Sequence, residues 1–489
     1  MHPENPEQMS MLSQLHDSAD EYDLDFWTAP KRPGEFVDLM LDFWTAPKRP
    51  GEFVDLMVPP NFTGTIRDLM SKYNITFELA IADVEKLTNE LEGEETPVPM
   101  TASKPSNVTD SFFRRLRNDS PSMSAQYNFN DYGSYTKITQ WLTTIQSRHR
   151  AFTKVFQIGR THEGRAIKGI KIGSPVRNTK KRAVWIDGGI HAREWPSVHT
   201  AIFFINELVS RYGSDREITR FVNMLNIYIV PCLNPDGYEL SRSSIKPDIR
   251  LWRKNRSKKV CTGKFDRLGK KRCCQGVDLN RNFDFHWGEA GTSSNPCAYN
   301  YRGTKAFSEP ETRAVRDMIL SSEMRGKTDA FISLHTYSQM WMYPFGHKMK
   351  TYPRDVNDLR SVGRQAVLAL QSQFGTRFEL GTTADILYPA SGQSADWARQ
   401  AAGIKYCYTL ELRPSQAALN GFILNRNELI PTAKETWAGV KVVINAALKL
   451  RLQNKSGTKT KKSAKTKRTG RRLANRRRKL AQRRFDIGA

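Results

Sequence analysis

His191 and Glu194 stand three residues apart in Ala183–Trp195, AVWIDGGIHAREW. An imidazole and a carboxylate at that spacing share one face of a turn or first helical turn, so both can reach one metal ion. The run before them (Val184, Trp185, Ile186) is apolar and β-branched, the mark of a buried strand, and Asp187, Gly188 and Gly189 break it. Open α/β sheets carry their sites at the carboxyl ends of strands, which is where this pair falls. A catalytic metal needs a third ligand, and hydrolysis needs a base. Two more strands end on such groups, ISLHTYSQ on His335 and YCYTLELRP on Glu411. A histidine and an acid are costly to bury at strand ends without partners. With the first pair they complete a His-Glu-His zinc set, His191, Glu194 and His335, with an open fourth position and Glu411 as general base.

The elements that must position these groups alternate. From Tyr132 onward the periodicity predicts a helix over Ile138–His149 and strands over Val155–Ile158, Ile167–Ile172 and Val184–Ile186. A helix over Pro196–Tyr212, a strand over Asn226–Cys232 and a long loop to about Phe285 follow. Then come a helix over Glu309–Ser322, a strand over Asp329–His335, a helix over Val356–Phe374, a strand over Lys405–Leu412 and an amphipathic helix over Ile430–Leu450. Such alternation implies an α/β fold, a mixed and mostly parallel sheet with helices on both faces. Ahead of it, Glu52–Glu95 reads as a small α/β unit, with a helix over Thr65–Tyr73, a strand over Thr76–Ile81 and an acidic helix over Asp83–Glu95. Glu92–Asp119 loses periodicity and gains Pro, Ser and Thr, so it reads as a linker. It holds Arg114-Arg115-Leu116-Arg117, an exposed basic site suited to a trypsin- or furin-like processing protease. Leu24–Met40 is repeated without change at Leu41–Met57. A perfect tandem copy is not a solenoid repeat, and one copy is expected to be structurally redundant.

A chain of 489 residues suffices for two or three domains. No apolar run approaches the roughly eighteen residues of a membrane span, and the first twenty residues hold no apolar signal-peptide core. Six cysteines (232, 261, 273, 274, 297, 407) and sequons at Asn61, Asn74, Asn107, Asn118, Asn255 and Asn454 nevertheless point to a secreted, extracellular protein. The net charge is +26, and seventeen Lys and Arg against one acid, Asp486, lie from Lys449 onward. That basic tail is expected to be disordered, suited to polyanions or extracellular matrix; without interleaved aromatics it supports no specific nucleic-acid recognition.

Taken in order, HAREW, NPDGY (Asn234–Tyr238), LWRKNR (Leu251–Arg256), GVDLNRNFD (Gly276–Asp284), SLHTYSQ, LYPASGQSADW (Leu387–Trp397) and LEL give the chain a resemblance to zinc metallocarboxypeptidases of the pancreatic A/B type with their activation propeptide. The likeness runs from about residue 21 to 450 and implies residues 21–117 as propeptide and linker and 118–450 as catalytic domain. It leaves residues 1–20 unassigned and 451–489 as the tail. The resemblance implies one zinc ion on His191, Glu194 and His335, with Asp278 bonded to the far nitrogen of His191. It implies Glu411 and Arg256 as catalytic groups, Arg256 for the oxyanion, and Asn280, Arg281 and Tyr388 as the clamp for the substrate's terminal carboxylate. Arg193, Tyr337 and Phe422 would line outer subsites.

The pocket for the terminal side chain would be lined by Met342, Gly346, Thr383, Leu387, Ala390, Gln393, Ala395 and Thr409. Basic-specific members carry an acid at the position of Ala395, so an apolar preference is expected here, with Gln393 in place of the family's usual glycine narrowing the pocket. Asp385 lies nearby in sequence, where it is an alternative source of the missing acid. Cys274 and Cys297 match the family's disulfide. Cys261 and Cys273 lie in an insertion and pair most simply with each other, although four cysteines allow three connectivities. Cys232 and Cys407 read as buried thiols open to pairing, and His286-x-x-Glu289 as a decoy. Asn255, inside LWRKNR, is expected to carry no glycan.

Overall fold

The computed structural model describes residues 4–17, 42–43, 56–58, 63–92, 127–265, 271–418 and 420–450. The repeat's first copy at 24–40, the basic run at 114–117 expected to be cleaved and the tail at 451–489 lie outside the described residues.

Eight strands form the main sheet: β1 (Thr153–Arg160), β2 (Ala166–Ile172), β3 (Arg182–Asp187), β4 (Leu225–Val230), β5 (Thr328–Ser338), β6 (Met340–Tyr343), β7 (Glu379–Thr382) and β8 (Tyr406–Ser415). Their spatial order is β7-β6-β8-β5-β3-β4-β2-β1. The centre is parallel (β8 with β5, β5 with β3, β3 with β4), and antiparallel pairs flank it on both sides. Parallel central strands are buried on both faces, so they read as continuous apolar runs and need crossover helices.

The two faces own two cores. Val184, Ile186, Ile332, Leu334, Leu410 and Leu412 pack with helices Tyr135–Arg148, Trp195–Ser210, Val356–Phe374 and the helix 429–450. Their neighbours in sequence, Ala183, Trp185, Phe331 and Cys407, pack on the opposite face with helices Pro310–Ile319 and Ser394–Gln400. Cys232 belongs to the first core and Cys407 to the second, so the sheet separates the two free thiols and they do not pair.

The predicted long loop after β4 carries short helices Pro235–Arg242 and Pro247–Arg250 and a hairpin of Val260–Phe265 with Lys271–Cys274. Disulfides join Cys261 to Cys273 and Cys274 to Cys297.

At the N-terminus, helix Pro6–Asp17 packs Met11 and Leu12 against Ile66, Met70 and Ile75 of the unit containing helix Thr63–Lys72. Gln8 ties it down by donating to the Tyr73 and Asn74 carbonyls at 3.1 and 2.8 Å. The first twenty residues, unassigned by sequence, thus contribute a helix to the small unit. A two-residue hairpin pairs Asp42–Phe43 with Leu56–Met57, inside the second copy of the repeat. Of the strand expected over Thr76–Ile81 only a bridge at Thr76 forms, and the acidic helix spans Val84–Glu92. Among the described residues no helix is long and apolar enough to cross a membrane.

Candidate active site

The two-residue period of β3, β5 and β8 sends Asp187, Ser333, His335, Thr409 and Glu411 to the same face as Trp185, Phe331 and Cys407. Register does the rest: Glu411 lies opposite His335, Thr409 opposite Ser333, and Asp187 opposite Ser333. His191 and Glu194 arrive by the turn after β3. Gly189 there has φ +64°, and a Cβ would stand 2.6 Å from the Val198 side chain, so glycine is what lets helix Trp195–Ser210 close down on the strand end.

The groups converge. His191 Nδ1 lies 2.6 Å from Glu194 Oε1, His335 Nδ1 lies 3.0 Å from Glu194 Oε2, and the two Nδ1 atoms are 3.2 Å apart. All three residues are buried. Ligand atoms about 2.0–2.1 Å from a tetrahedral zinc stand about 3.3 Å from one another, so the spacing suits that ion. The far nitrogens have other partners. His191 Nε2 donates to Asp278 Oδ1 at 3.1 Å. His335 Nε2 donates to Ser333 Oγ at 3.3 Å, whose hydroxyl donates to Asp187 Oδ1 at 2.7 Å. Both networks fix the Nε2–H tautomer and leave each Nδ1 lone pair free to ligate. Burial opposes ionisation of Asp278, but Arg253, Arg281 and His191 outweigh it and hold the carboxyl well below its usual range.

Glu411 is half-buried on the cavity wall, with Oε2 unpartnered among the described residues. Burial, reinforced by Glu194 and opposed by His335, pushes its carboxyl up to about 8. An acid poised this way beside a metal set is equipped to exchange a proton.

The cavity receives a different arginine from the one the resemblance implied. Arg256 turns away: its Nε donates to Glu163 Oε1 at 3.1 Å and it stacks over Trp252, off the cavity. Arg253 faces the cavity instead, donating to Asp278 Oδ2 from Nε at 3.0 Å and Nη2 at 2.9 Å, with Nη1 3.3 Å from His191 Nδ1. The cause is a backbone anchor. Ala192 N donates to the Arg253 carbonyl at 3.0 Å, which ties residue 253 to the His191 turn. Sequence reasoning also missed Asp187 and Ser333, although Ser333 shares the strand parity of His335.

The remaining expected groups border the same cavity. Arg281 Nη2 donates to the Tyr388 hydroxyl at 3.0 Å, and Asn280 Oδ1 accepts from Ser394 N at 2.9 Å. Arg193 stacks 4.0 Å over Phe422, whose ring meets Tyr337 edge-on at 4.9 Å. Met342, Thr383, Leu387, Gln393 and Thr409 line the cavity; Gly346, Ala390 and Ala395 do not. Ala395, expected from sequence as a wall residue, sits on helix Ser394–Gln400 and belongs to the core cluster that also holds Phe283 and Trp397. Asp385 accepts from Lys350 N at 2.8 Å, outside the cavity lining.

Three further histidines have partners of their own. His286 pairs with Glu289 at 2.7 Å on the surface, and buried His199 bonds to the Phe129 carbonyl at 2.9 Å. His162, Glu309 and Glu311 form a second His/Glu group, in which His162 pairs with Glu309 at 2.9 Å and buried Asn255 donates to both acids. That burial leaves the Asn255 sequon no room for a sugar.

With this geometry in hand, the family description "zinc carboxypeptidase" matches residues 138–439, and "carboxypeptidase activation peptide" matches residues 1–41 and 40–90. The chain belongs to the zinc carboxypeptidase family. The activation-peptide match divides where the two copies of the repeat meet, and it begins at residue 1, ahead of the boundary expected at residue 21. The chain is similar to carboxypeptidase A2 of Rattus norvegicus, 36% identical over 442 residues that cover 90% of this chain and 91% of that protein. It is similar to carboxypeptidase B of Astacus astacus, 41% identical over 318 residues, 65% of this chain and 97% of that one. Among solved structures, thrombin activatable fibrinolysis inhibitor superposes with TM-score 0.71 at 27% identity, covering 92% of this chain and 97% of that chain. Carboxypeptidase A from Helicoverpa armigera superposes with TM-score 0.72 at 24% identity, covering 91% and 96%, a likeness of fold. This zinc carboxypeptidase therefore carries the activation peptide of a zymogen.

Proposed function

We propose that the chain is a secreted zymogen whose mature form removes single uncharged residues from the C-termini of peptides and proteins, with one zinc ion on His191, Glu194 and His335. The convergence of two Nδ1 atoms and the Glu194 carboxylate within 3.2 Å of one another, in the cavity that Glu411 also lines, carries the reading. His191, Glu194 and His335 would hold the zinc ion, which would supply Lewis acidity and lower the pKa of water at the site to about 7. Glu411 takes the proton of the attacking water and returns it to the leaving amine; a cation beside it favours the ionised form this requires. Arg253 faces the oxyanion, a position supported by its tether to Asp278 and the His191 turn. Arg281, Tyr388 and Asn280 hold the terminal carboxylate, the guanidinium meeting both oxygens. Arg193, Tyr337 and Phe422 flank the upstream residues.

The lack of an acid at Ala395 and the absence of a charged group among the five side-chain-pocket residues support uncharged terminal residues, a class that includes the apolar ones expected from sequence. The two disulfides support secretion. Activation by a trypsin- or furin-like protease at Arg114–Arg117, and polyanion or matrix binding by the basic tail, rest on sequence alone. The deciding experiment is Glu411→Gln in protease-activated enzyme. Release of terminal residues is expected to fall on the order of 10³-fold with zinc still bound at one per chain. Unchanged turnover in that variant, or wild-type activity that survives complete chelation of zinc, sinks the proposal.

A further inference from the structure

We propose that Gln393 makes the side-chain pocket select C-terminal residues that hydrogen-bond without charge, glutamine and asparagine first, over apolar residues of the same size. This rests on the carboxypeptidase reading and names the substrate class of that site.

The pocket wall beside the Arg281–Tyr388 clamp is formed by Met342, Thr383, Leu387, Gln393 and Thr409. The bond from Ser394 N to Asn280 Oδ1 holds Gln393 one residue from the clamp. Its carboxamide lies against Gly346, with Oε1 and Nε2 at 2.8 and 2.9 Å from where a Cβ on Gly346 would stand. The missing side chain of Gly346 is thus the space the amide occupies, and Gly346 is pinned by its N–H to Asp396 Oδ2 at 2.8 Å.

Gln393 is 4% exposed, yet its amide bonds to no protein group among the described residues. The hydroxyls of Thr383 and Thr409, on residues as deeply buried, are uncommitted in the same sense. The wall therefore offers two amide N–H donors, an amide oxygen and two hydroxyls, and no charge. An apolar terminal side chain strips water from these groups and returns nothing. A primary amide pairs with the Gln393 amide through two hydrogen bonds. Leaving such groups unpaired costs on the order of ten- to a hundredfold in transition-state affinity. A cationic side chain finds no acid in this wall, since neither Asp396 nor Asp385 lines the cavity. The room taken by the Gln393 side chain also disfavours large aromatic residues.

The test is kcat/KM of the protease-activated, zinc-loaded enzyme on N-blocked peptides that differ only in the last residue, in size-matched pairs: Gln against Met, Asn against Leu, Thr against Val. The expected result is about tenfold or more in favour of Gln over Met, and the same sign in the other pairs. Gln393→Met keeps the length and removes the amide, so the Gln-to-Met ratio is expected to invert, and Gln393→Gly is expected to admit Phe and Tyr. Wild-type enzyme releasing Met and Leu as fast as Gln and Asn overturns the inference, as does an unchanged ratio in Gln393→Met. If neither variant folds, the wild-type pairs alone decide. Release of no residue of any kind is a distinct failure, since it removes the carboxypeptidase reading itself.

Discussion

Two arginines three residues apart show how a site is decided by single backbone contacts. Arg253 and Arg256 share one short basic motif, but the Ala192 N–H fixes the Arg253 carbonyl, and Asp278 takes the guanidinium with two bonds. Arg256 ends on Glu163 in a partly exposed pair of the kind that contributes little. Arg253→Ala in the activated enzyme is expected to lower kcat/KM on the order of 10²–10³-fold, whereas Arg256→Ala stays within a few-fold of wild type. Steady-state kinetics on one terminal-glutamine peptide compares the two, and equal losses would contradict the placement. The distinction was not legible in the sequence because the segment is an extended loop with no period to say which side chain points inward. By contrast, His191, Glu194, His335 and Glu411 were legible, since each ends or follows an apolar run whose direction and parity the sequence displays.

Among the elements, strand parity explains both what could be read and what could not. β3, β5 and β8 show their two cores in alternating residues, so the site face follows from the period of two. Helix Ser394–Gln400 is seven residues long, too short for its pattern to tell that Ala395 and Trp397 turn to the core while Gln393, its N-cap residue, turns to the cavity. Asp396, on the same short helix, is fully buried and accepts from Gly346 N, yet its Oδ1 has no partner among the described residues. Burial, opposed by the Gly346 and His347 amides, pushes its carboxyl from about 3.8 up to about 7. The folded state therefore holds this proton more tightly than the unfolded chain does. The contribution to stability is fully present below pH 3.8, falls as pH rises toward 7, and is flat beyond. Asn cannot ionise, so Asp396→Asn is expected to lose that dependence while all other groups titrate as before. The difference in melting temperature, variant minus wild type, should climb between pH 4.5 and pH 7.5 and then level off. A difference that stays constant across that window would show that Asp396 is ionised in the fold.

At the scale of the whole molecule, one helix stripe and Met57 bring the described part of the activation peptide onto the catalytic unit. Val84, Thr88 and Glu92 recur every four residues along Val84–Glu92, and this stripe docks on the catalytic unit. Val84 and Met57 pack on Leu251, Tyr337 and Phe422, the side of the cavity that would receive the upstream part of a substrate. Glu92 meets Arg250 with both oxygens, at 2.7 Å from Nε and 2.6 Å from Nη2, and neither side chain is exposed. Arg250 in turn lies 3.5 Å over Trp195 and donates to the carbonyls of Arg193 and Phe422 at 3.0 and 3.3 Å, so the ion pair is continuous with the cavity wall. Partners 158 residues apart leave no local trace in a sequence, which is why the acidic helix could be foreseen but not its seat. Removing one member of a fully buried pair strands the other charge, at about 3–5 kcal/mol. Glu92→Ala is expected to loosen the peptide by on the order of 10²–10³-fold, so the uncleaved zymogen should hydrolyse a small blocked dipeptide measurably and be activated faster by trypsin. Cleavage within Arg114–Arg117 removes residue 92, so mature enzyme from variant and wild type has the same sequence and the same turnover, which separates loss of the lock from damage to the active site. A Glu92→Ala zymogen as silent and as slowly activated as wild type would show that the apolar contacts of Met57 and Val84 hold the peptide in place without the ion pair.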